Sequence, residues 1–202
     1  MTETFAREGY NSRGIRLAKK VESFSLDSHI RPSPIEVLAK LPPAFGGVQT
    51  GGNSSAIVDG AAAALVASGK FVRQQNKPPL AKVVAGAVVG VPPEIMGIGP
   101  VPSIQSVLEI SGLRLDQIDR FEINEAFAAQ TLACARELGL DHAKLNVNGG
   151  AIAIGHPLAA TGVRLAVTLA RELKRSNGCY GIASACIGGG QGIALLVENA
   201  SA

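Results

Sequence analysis

Hydrophobic and polar residues follow one another from about residue 53 in blocks of strand and helix length. The apolar, β-branched run at residues 81–89 predicts a strand, and strands are also predicted at residues 120–123, 180–185 and 193–197. The segments between and before them predict helices, at residues 53–68, 103–110, 125–138 and 162–175. Because strands and helices alternate and the last two strands form a hairpin, we expect an α/β protein with a mixed sheet and helices on both faces.

Two of these helices have specific sequence features. An Asn-Ser-Ser triplet at residues 53–55 would cap the alanine-rich helix 53–68, and Gly69 would end it. In the helix 125–138 one face carries Phe127, Thr131, Cys134 and Leu138. We therefore expect Cys134 to be a core residue and not a reactive one.

The helix 162–175 is apolar around most of its circumference. One face carries Leu165, Leu169 and Leu173, and the neighbouring face carries Val163, Ala166, Val167 and Ala170. Arg164 is the only charge in its first ten residues. A helix of this kind is buried on both sides, so in this chain alone we expect it to leave one apolar side uncovered.

Composition and charge narrow the class of protein. The chain has 202 residues, of which 47% are hydrophobic and 17% charged, as in compact globular proteins. Only 4% are aromatic, so the core must consist of Ala, Val, Ile and Leu. The net charge of +3 and one basic group, Arg13, Arg16, Lys19 and Lys20, do not indicate nucleic-acid binding.

Cysteine usage and the termini bear on location. Cys134, Cys179 and Cys186 show no CxxC spacing, so neither a zinc site nor a disulfide framework is expected. No apolar run approaches the about 20 residues of a membrane span, and neither a signal core nor a peroxisomal tail is recognisable. We expect a cytoplasmic protein that does not bind membranes.

Four side chains are expected on one edge of the sheet. Met96, Asn124 and Cys186 follow or end predicted strands, and His156 lies in the loop before the helix 162–175. Loops at the carboxyl ends of strands meet at one edge, where ligands bind. On its own, His156 could be a structural loop residue and Cys186 an inert buried thiol. The glycines at 188–190 lack the pattern of a phosphate-binding loop.

Five motifs in series carry a family resemblance. They are NSSAIVDGAAAAL at 53–65, MGIGPVPS at 96–103, NEAFAAQ at 124–130, NVNGGAIAIGHPLAATG at 146–162 and CIGGGQG at 186–192. In this order and at this spacing they resemble the thiolase family over roughly residues 28–202. The resemblance implies acyltransferase chemistry, in which a carbon–carbon bond next to a thioester forms by Claisen condensation or breaks by thiolysis, as in fatty acid β-oxidation.

The resemblance also implies roles for single residues. Cys186 would be the acid/base that handles the proton of the carbanion, although a thiol pKa of about 8.5 would need lowering or an activated thioester. His156 would activate a separate nucleophilic cysteine and, with a water held by Asn124, polarise the thioester oxygen. The backbone N–H of Gly188 would contribute to a second oxyanion hole.

Substrate contacts follow from the same motifs. Ser55 and Met96 match positions that contact the pantetheine arm, while Ala126 and Phe127 match the wall of the acyl pocket. The resemblance implies acyl-CoA and coenzyme A as substrates, with no permanently bound cofactor and no metal.

The chain departs from the family in one large respect. Thiolases have two similar halves, and the first half carries the nucleophilic cysteine in a glycine-rich segment that has no counterpart here. We therefore assign residues 1–52 to an irregular remnant of the loop domain. Residues 53–77 are assigned to a helix and linker of an absent N-terminal half, and residues 78–202 to the thiolase C-terminal domain.

Three hypotheses remain open at this point. The chain could be a catalytic half that assembles with a chain supplying the nucleophile, either a natural partner or the lost remainder of a longer protein. Its expected partner is then a complementing N-terminal thiolase half, with a homo-oligomer as the other possibility. It could be an inactive, thiolase-derived acyl-CoA-binding or regulatory protein. It could also be an acyl-CoA-binding module in which Cys186 and His156 perform another step, such as thioester hydrolysis. The joint presence of Asn124, His156 and Cys186 favours the first hypothesis.

Overall fold

The computed structural model describes residues 3–4, 23–24, 29–30 and 32–201, which fall into two units, Met1–Pro32 and Ser33–Ala202. In the first unit β1 (Glu3–Thr4) pairs antiparallel with β2 (Ser23–Phe24). The basic group near residue 16 and much of the expected loop-domain remnant lie outside the described residues.

A four-stranded mixed sheet forms the centre of the second unit. Its strands are β3 (Ala81–Gly90), β4 (Arg120–Ile123), β5 (Tyr180–Ile187) and β6 (Gln191–Asn199), in the order β3-β6-β5-β4. The hairpin strand β6 runs antiparallel to β3 and β5, and β4 pairs parallel with β5. All four predicted strands are confirmed, with extensions of one to four residues where ladder pairing continues past the apolar run.

Two helices cover one face of the sheet. They are α3 (Pro100–Ser111) and α4 (Ala128–Leu138). The larger core cluster lies between them and the sheet, and it includes Ile104, Val107, Phe121, Ile123, Cys134, Ile182 and Leu196. Cys134 is fully buried, so its predicted place in the core is confirmed.

The long helix α6 (Leu158–Ser176) covers part of the other face. Its leucine face, Leu165, Leu169 and Leu173, packs against Ala183 of β5 and Val197 of β6. The neighbouring positions Val163, Ala166 and Val167 are only half-buried. Helices on both faces of a mixed sheet confirm the predicted fold class. Within the described residues no helix is both long and apolar enough to cross a membrane.

Shorter elements complete the described part of the unit. They are the helices α1 (Ile35–Leu38), α2 (Gly69–Gln75) and α5 (Ala151–Ile154), and the 3₁₀ turns Pro93–Ile98, Leu115–Gln117 and His142–Lys144. Outside α1, the described residues between 32 and 52 are irregular.

The predicted helix over residues 53–68 is wrong. Residues 53–57 run extended because their backbone pairs with distant segments, through isolated bridges from Ser54 to Phe127 and from Ile57 to His156. Beyond them the alanine-rich stretch 61–68 is exposed, and a helix of that length needs a buried face to be stable. Helix α2 instead begins at Gly69, where the hydroxyl of Ser68 accepts a hydrogen bond from the N–H of Phe71.

The other helices differ from prediction mainly at their starts. Helix α4 begins three residues late because residues 126–128 pair with the extended segment near Ser54. Helix α6 begins four residues early, directly after Pro157, which has no backbone N–H to leave unpaired. The ends of both helices lie within one residue of the predicted ones, and there Gly139 and Asn177 adopt the left-handed conformation that ends a helix.

Two glycines allow the start of α3 to lie directly on the sheet. A Cβ atom on Gly192 of β6 would overlap the backbone of Gly99, and one on Gly99 would lie 2.6 Å from the Gln191 oxygen. The absence of both side chains lets the turn 93–98 and α3 approach the end of β6. This close approach fixes the position of the turn 93–98, which follows β3, at the edge of the sheet.

We predict that Gly192→Ala lowers the free energy of unfolding by about 1–3 kcal/mol, the usual cost of forcing extra atoms into a packed site. The measurement is urea unfolding of the full chain. Gly90→Ala is the matched control, because Gly90 lies in the neighbouring strand opposite Gln191 and a Cβ there meets nothing within 4 Å. Equal stability of the two variants would contradict the close approach.

Candidate active site

The carboxyl ends of β3, β4 and β5 lie at the same edge of the sheet. Strands β3 and β5 both pair antiparallel with β6, so they run parallel to each other, and β4 is parallel to β5. Asn124 follows β4 directly, Cys186 lies at the end of β5, and Met96 lies in the turn 93–98 after β3. These three positions therefore lie at the same edge of the sheet, as expected.

Asn124 and His156 are in direct contact. The amide Nδ2 of Asn124 lies 3.4 Å from Nε2 of the His156 ring. The backbone N–H of Asn124 donates to the carbonyl of Ser184 at 2.9 Å, which continues the β4–β5 pairing past the end of β4. Asn124 is almost completely buried. The Asn124 side chain is therefore held in one place. Its backbone lies opposite Ser184, which is two residues before Cys186 in β5.

The extended segment 53–57 brings further candidate residues to this pair. The N–H and the hydroxyl of Ser55 both donate to the carbonyl of Ala126, at 3.0 and 3.2 Å. The N–H of His156 donates to the carbonyl of Ala56 at 2.7 Å. Phe127 pairs with Ser54, and its side chain is 40% exposed. The segment thus joins the NEAF motif to the loop that carries His156.

Cys186 lies in a nonpolar setting. It pairs across the hairpin with Gly192 and is buried. Burial raises the pKa of the Cys186 thiol, so the described residues do not lower it as a resting base would require. The neighbouring Cys134 is an inert thiol: burial raises its pKa to about 11, and its Sγ donates to the carbonyl of Gly97, next to Met96, at 3.3 Å.

Gly188 begins the exposed turn that follows β5. Gly189 and Gly190 have φ angles of 88° and 90°, which glycine adopts without strain. The turn returns the chain into β6, and Val91 donates its N–H to the Gly190 carbonyl at 2.8 Å. Gly188 itself has open space where a side chain would be, so a ligand could approach its backbone closely.

A half-buried amide–carboxylate pair fastens the His156 loop to β4. Asn146 accepts a hydrogen bond from the Ile123 N–H at 2.8 Å and donates both to the Ile123 carbonyl and to Glu125, each at 2.9 Å. The Glu125 carboxylate also accepts from the N–H of Ile152 in α5 at 3.1 Å. This clamp fixes the loop 146–155 against the strand end that carries Asn124.

Two charged residues lie behind the Asn124–His156 pair, one buried and one half-buried. Glu122 is 2% exposed, and Arg164 of α6 interacts electrostatically with Glu122, Glu125 and His156. Desolvation raises the pKa of Glu122 to about 7, and the positive charge of Arg164 opposes the shift. Burial, followed by the charge of Arg164, lowers the pKa of His156. His156 is therefore a neutral imidazole at neutral pH.

A second buried carboxylate ties α6 to the sheet. Glu172 accepts hydrogen bonds from Arg120 at 3.2 Å, from Arg175 at 2.8 and 2.9 Å and from Asn148 at 3.0 Å. These hydrogen bonds lower the pKa of Glu172 to about 2, and the bond from Arg175 contributes most to the shift. Since β4, α6 and the loop 146–150 all contribute a donor or acceptor, Glu172 holds the three elements together.

Several residues that support Asn124 and His156 were not predicted from the sequence. Glu122, Glu125, Asn146, Thr161 and Arg164 were not among the expected site residues. Two signals were present: Glu122 is an acidic residue within an apolar strand, and Arg164 is the lone charge at the start of an apolar helix. Each pattern indicates a charge that needs a buried partner.

The fold and the site define an α/β domain that holds a histidine–amide pair and a cysteine at one sheet edge. The family model for the thiolase C-terminal domain matches residues 77–199, and that for the thiolase N-terminal domain matches residues 13–70. The chain belongs to the thiolase family.

Individual relatives agree with this assignment. The chain is 50% identical over 188 residues to the mitochondrial 3-ketoacyl-CoA thiolase of Bos taurus, covering 92% of this chain and 47% of the relative. It is 50% identical over 179 residues to the acetyl-CoA acetyltransferase of Syntrophomonas wolfei, covering 87% and 45%. The chain therefore spans about half the length of the curated relatives it matches.

Solved structures give the same result. The acetyl-CoA acetyltransferase of Bacillus anthracis superimposes with a TM-score of 0.84 at 46% identity, covering 91% of this chain and 48% of that one. Human mitochondrial 3-ketoacyl-CoA thiolase in complex with CoA gives a TM-score of 0.80 at 46% identity, covering 88% and 46%.

We predict that Glu122 contributes a decrease of up to about 3 kcal/mol to the free energy of unfolding as pH rises from about 4.5 through about 7. The lowered pKa of His156 opposes this decrease in part. Glu122 keeps its proton to a higher pH in the folded state than in the unfolded chain. Raising the pH between these two pKa values therefore favours unfolding. Urea unfolding between pH 4.5 and 8 measures the effect.

The Glu122→Gln variant should lose this decrease, whereas Glu137→Gln, at an exposed position of α4, should keep it. If the pH dependence of Glu122→Gln matched that of the parent chain, Glu122 would not be the group responsible.

Proposed function

We propose that this chain carries the proton-handling part of a thiolase-type acyltransferase site, acting on acyl-CoA thioesters by Claisen condensation or thiolytic cleavage. The nucleophilic cysteine would come from a thiolase N-terminal half. What carries the proposal is the 3.4 Å contact between Asn124 and His156 beside the strand end of Cys186. Three residue types with complementary chemistry thus lie at one sheet edge.

The proposed roles follow from the protonation states. A neutral His156 can take a proton from the nucleophilic thiol, which then attacks the 3-keto carbonyl of the substrate. When the carbon–carbon bond breaks, its electron pair remains on the carbon next to the thioester. The raised pKa of Cys186 keeps its proton on sulfur, so the thiol can donate that proton to the carbanion.

The polar atoms around the site support thioester binding. The Asn124 Oδ1 atom is buried and, among the described residues, has no hydrogen-bond partner. It can accept a hydrogen bond from a water that in turn faces the thioester oxygen. The exposed backbone of Gly188 is available as a second oxyanion donor. Ser55, Met96, Ala126 and Phe127 are proposed to contact the pantetheine arm and acyl group of acyl-CoA.

An apolar surface supports the need for a second half. Beside α6 a hollow of about 280 Å³ is lined by Gly86, Val88, Gly162, Leu165, Ile193 and Leu195, among others. Val88 is 64% exposed and Leu158, at the start of α6, is also 64% exposed. Contiguous apolar surfaces of this kind mark interaction sites. Because the chain spans about half of its relatives, a thiolase N-terminal half is the occupant we propose.

Two other functions make different predictions. An inactive acyl-CoA-binding or regulatory protein would bind the ligand and never turn it over. A thioester hydrolase would act without a second half and would use Cys186 as its nucleophile. The raised pKa of Cys186 disfavours the hydrolase, since a nucleophilic thiol needs a lowered pKa. A cytoplasmic location stays a prediction from the sequence.

We predict that the chain alone forms no acyl adduct with acetyl-CoA, and that CoA-dependent cleavage of acetoacetyl-CoA appears when a thiolase N-terminal half with its nucleophilic cysteine is added. Intact-mass spectrometry measures the first outcome and release of acetyl-CoA the second. Cys186→Ser should lower the rate by about 10²-fold or more, the usual contribution of a general acid–base.

Cys179→Ser is the matched control, because Cys179 lies at the opposite end of β5 from Cys186; its rate should equal that of the parent chain. A stable acyl adduct on Cys186 of the isolated chain would contradict the requirement for a second half. No cleavage with any such half would support the inactive protein.

A further inference from the structure

The His156 ring makes hydrogen-bond contacts at both of its nitrogens. Nδ1 lies 2.6 Å from the Thr161 hydroxyl oxygen, and Nε2 lies 3.4 Å from the Asn124 amide nitrogen. Thr161 is 2% exposed and lies in the first turn of α6. A neutral imidazole carries one proton, and its position is set by the bonds that the two nitrogens make.

These two contacts agree on where the proton is. The Thr161 hydroxyl lies 3.1 Å from the carbonyl of Pro157, which can only accept, so the hydroxyl hydrogen points there. The Thr161 oxygen is then free to accept a hydrogen bond from Nδ1–H. At the other end, an amide nitrogen can only donate, so Nε2 must be the acceptor toward Asn124. A proton on Nε2 would instead face the Asn124 amide hydrogens.

We propose that Thr161 is a positioning residue that holds neutral His156 in the Nδ1–H tautomer, so that the Nε2 lone pair is presented at the sheet edge. The use of this lone pair rests on the function proposed above. The tautomer itself is a property of this chain, and it can be measured without any acyl transfer.

The position of Thr161 in the chain suits this task. Its hydroxyl is five residues from His156 and bonds back to Pro157, one residue after the ring. Pro157 also keeps His156 out of helical geometry, so the ring turns toward the helix start. Thr161 is buried, and the hydrogen bond from its hydroxyl to the Pro157 carbonyl holds the side chain in one rotamer. The oxygen therefore occupies one place relative to Nδ1.

The Nδ1–H tautomer determines the order of the two roles expected of His156, which are to deprotonate the nucleophilic thiol and to polarise the thioester oxygen. Nε2 first accepts the proton of a nucleophilic thiol: the S–H bond breaks, an Nε2–H bond forms, and a thiolate and an imidazolium result. Nδ1 keeps its hydrogen throughout and donates it in a hydrogen bond to the Thr161 hydroxyl oxygen. Only after this transfer does Nε2 carry a hydrogen that can be donated to a thioester oxygen. Base and oxyanion donor are then successive states of one nitrogen.

The test is NMR of the ring nitrogens in the full chain labelled with ¹⁵N, at a pH where His156 is neutral. The chain has three histidines, and the signals of the other two are assigned with His29→Gln and His142→Gln. We expect His156 to show a protonated Nδ1 and an unprotonated Nε2. In Thr161→Val, which keeps the shape and removes the hydroxyl, the proton should move to Nε2 in a large fraction of molecules.

Thr161→Ser should restore the parent tautomer, since it retains the hydroxyl, and Thr161→Ala serves as a second variant without one. With a complementing half, Thr161→Val should lower kcat by up to about 10²-fold while KM is unchanged. A protonated Nε2 in the parent chain would overturn the proposal. So would an unchanged tautomer in both variants that lack the hydroxyl. Either result leaves the acyl-transfer proposal standing, because that proposal is tested by turnover.

Discussion

The parallel pairing of β4 with β5 is the constraint on which the candidate site depends. Its register continues one hydrogen bond beyond the end of β4, where the Asn124 N–H donates to the Ser184 carbonyl. Because side chains alternate between faces along a strand, a slip of one residue would turn the Asn124 amide away from His156. The core contacts of Phe121 and Ile123 oppose such a slip, since both would leave the buried face. Hydrophobic burial thus fixes the position of a polar contact.

Polar groups behind the site depend on the same register. Glu122 lies between Phe121 and Ile123, so a strand that buries both on one face directs the carboxylate to the other face, toward α6. Burying a carboxylate costs free energy unless a charge or hydrogen bonds offset it. Arg164 offsets part of this cost for Glu122, whereas Glu172 has four hydrogen bonds and a strongly lowered pKa. The first carboxylate is destabilising near pH 7, and the second fastens α6 in place.

Sequence patterns were informative wherever a segment's own residues decide its structure. The four strands could be predicted because each is a short segment with apolar positions bounded by turn residues. Asn124, His156 and Cys186 were singled out because their motifs resemble those of thiolases, in loops expected at one sheet edge. The helix over 53–68 could not be excluded from sequence, because the competing bonds come from Ala126 and His156, far away in the chain. Thr161 was missed for a related reason: its role appears only when the turn after Pro157 brings a hydroxyl to the ring. Local patterns predict elements, and contacts between elements assign roles.

The extended segment 53–57 also bears on how folding and function are coupled. It contacts both the NEAF motif and the His156 loop, yet the stretch 58–68 that follows is largely exposed, with Leu65 and Val66 at the surface. On the proposal made here, a thiolase N-terminal half would cover this stretch and the hollow beside α6. Binding to the folded state alone stabilises it by mass action. The half that supplies the nucleophilic thiol would then also hold segment 53–57 against His156. One binding event would therefore both position His156 as a base and bring the thiol that it deprotonates.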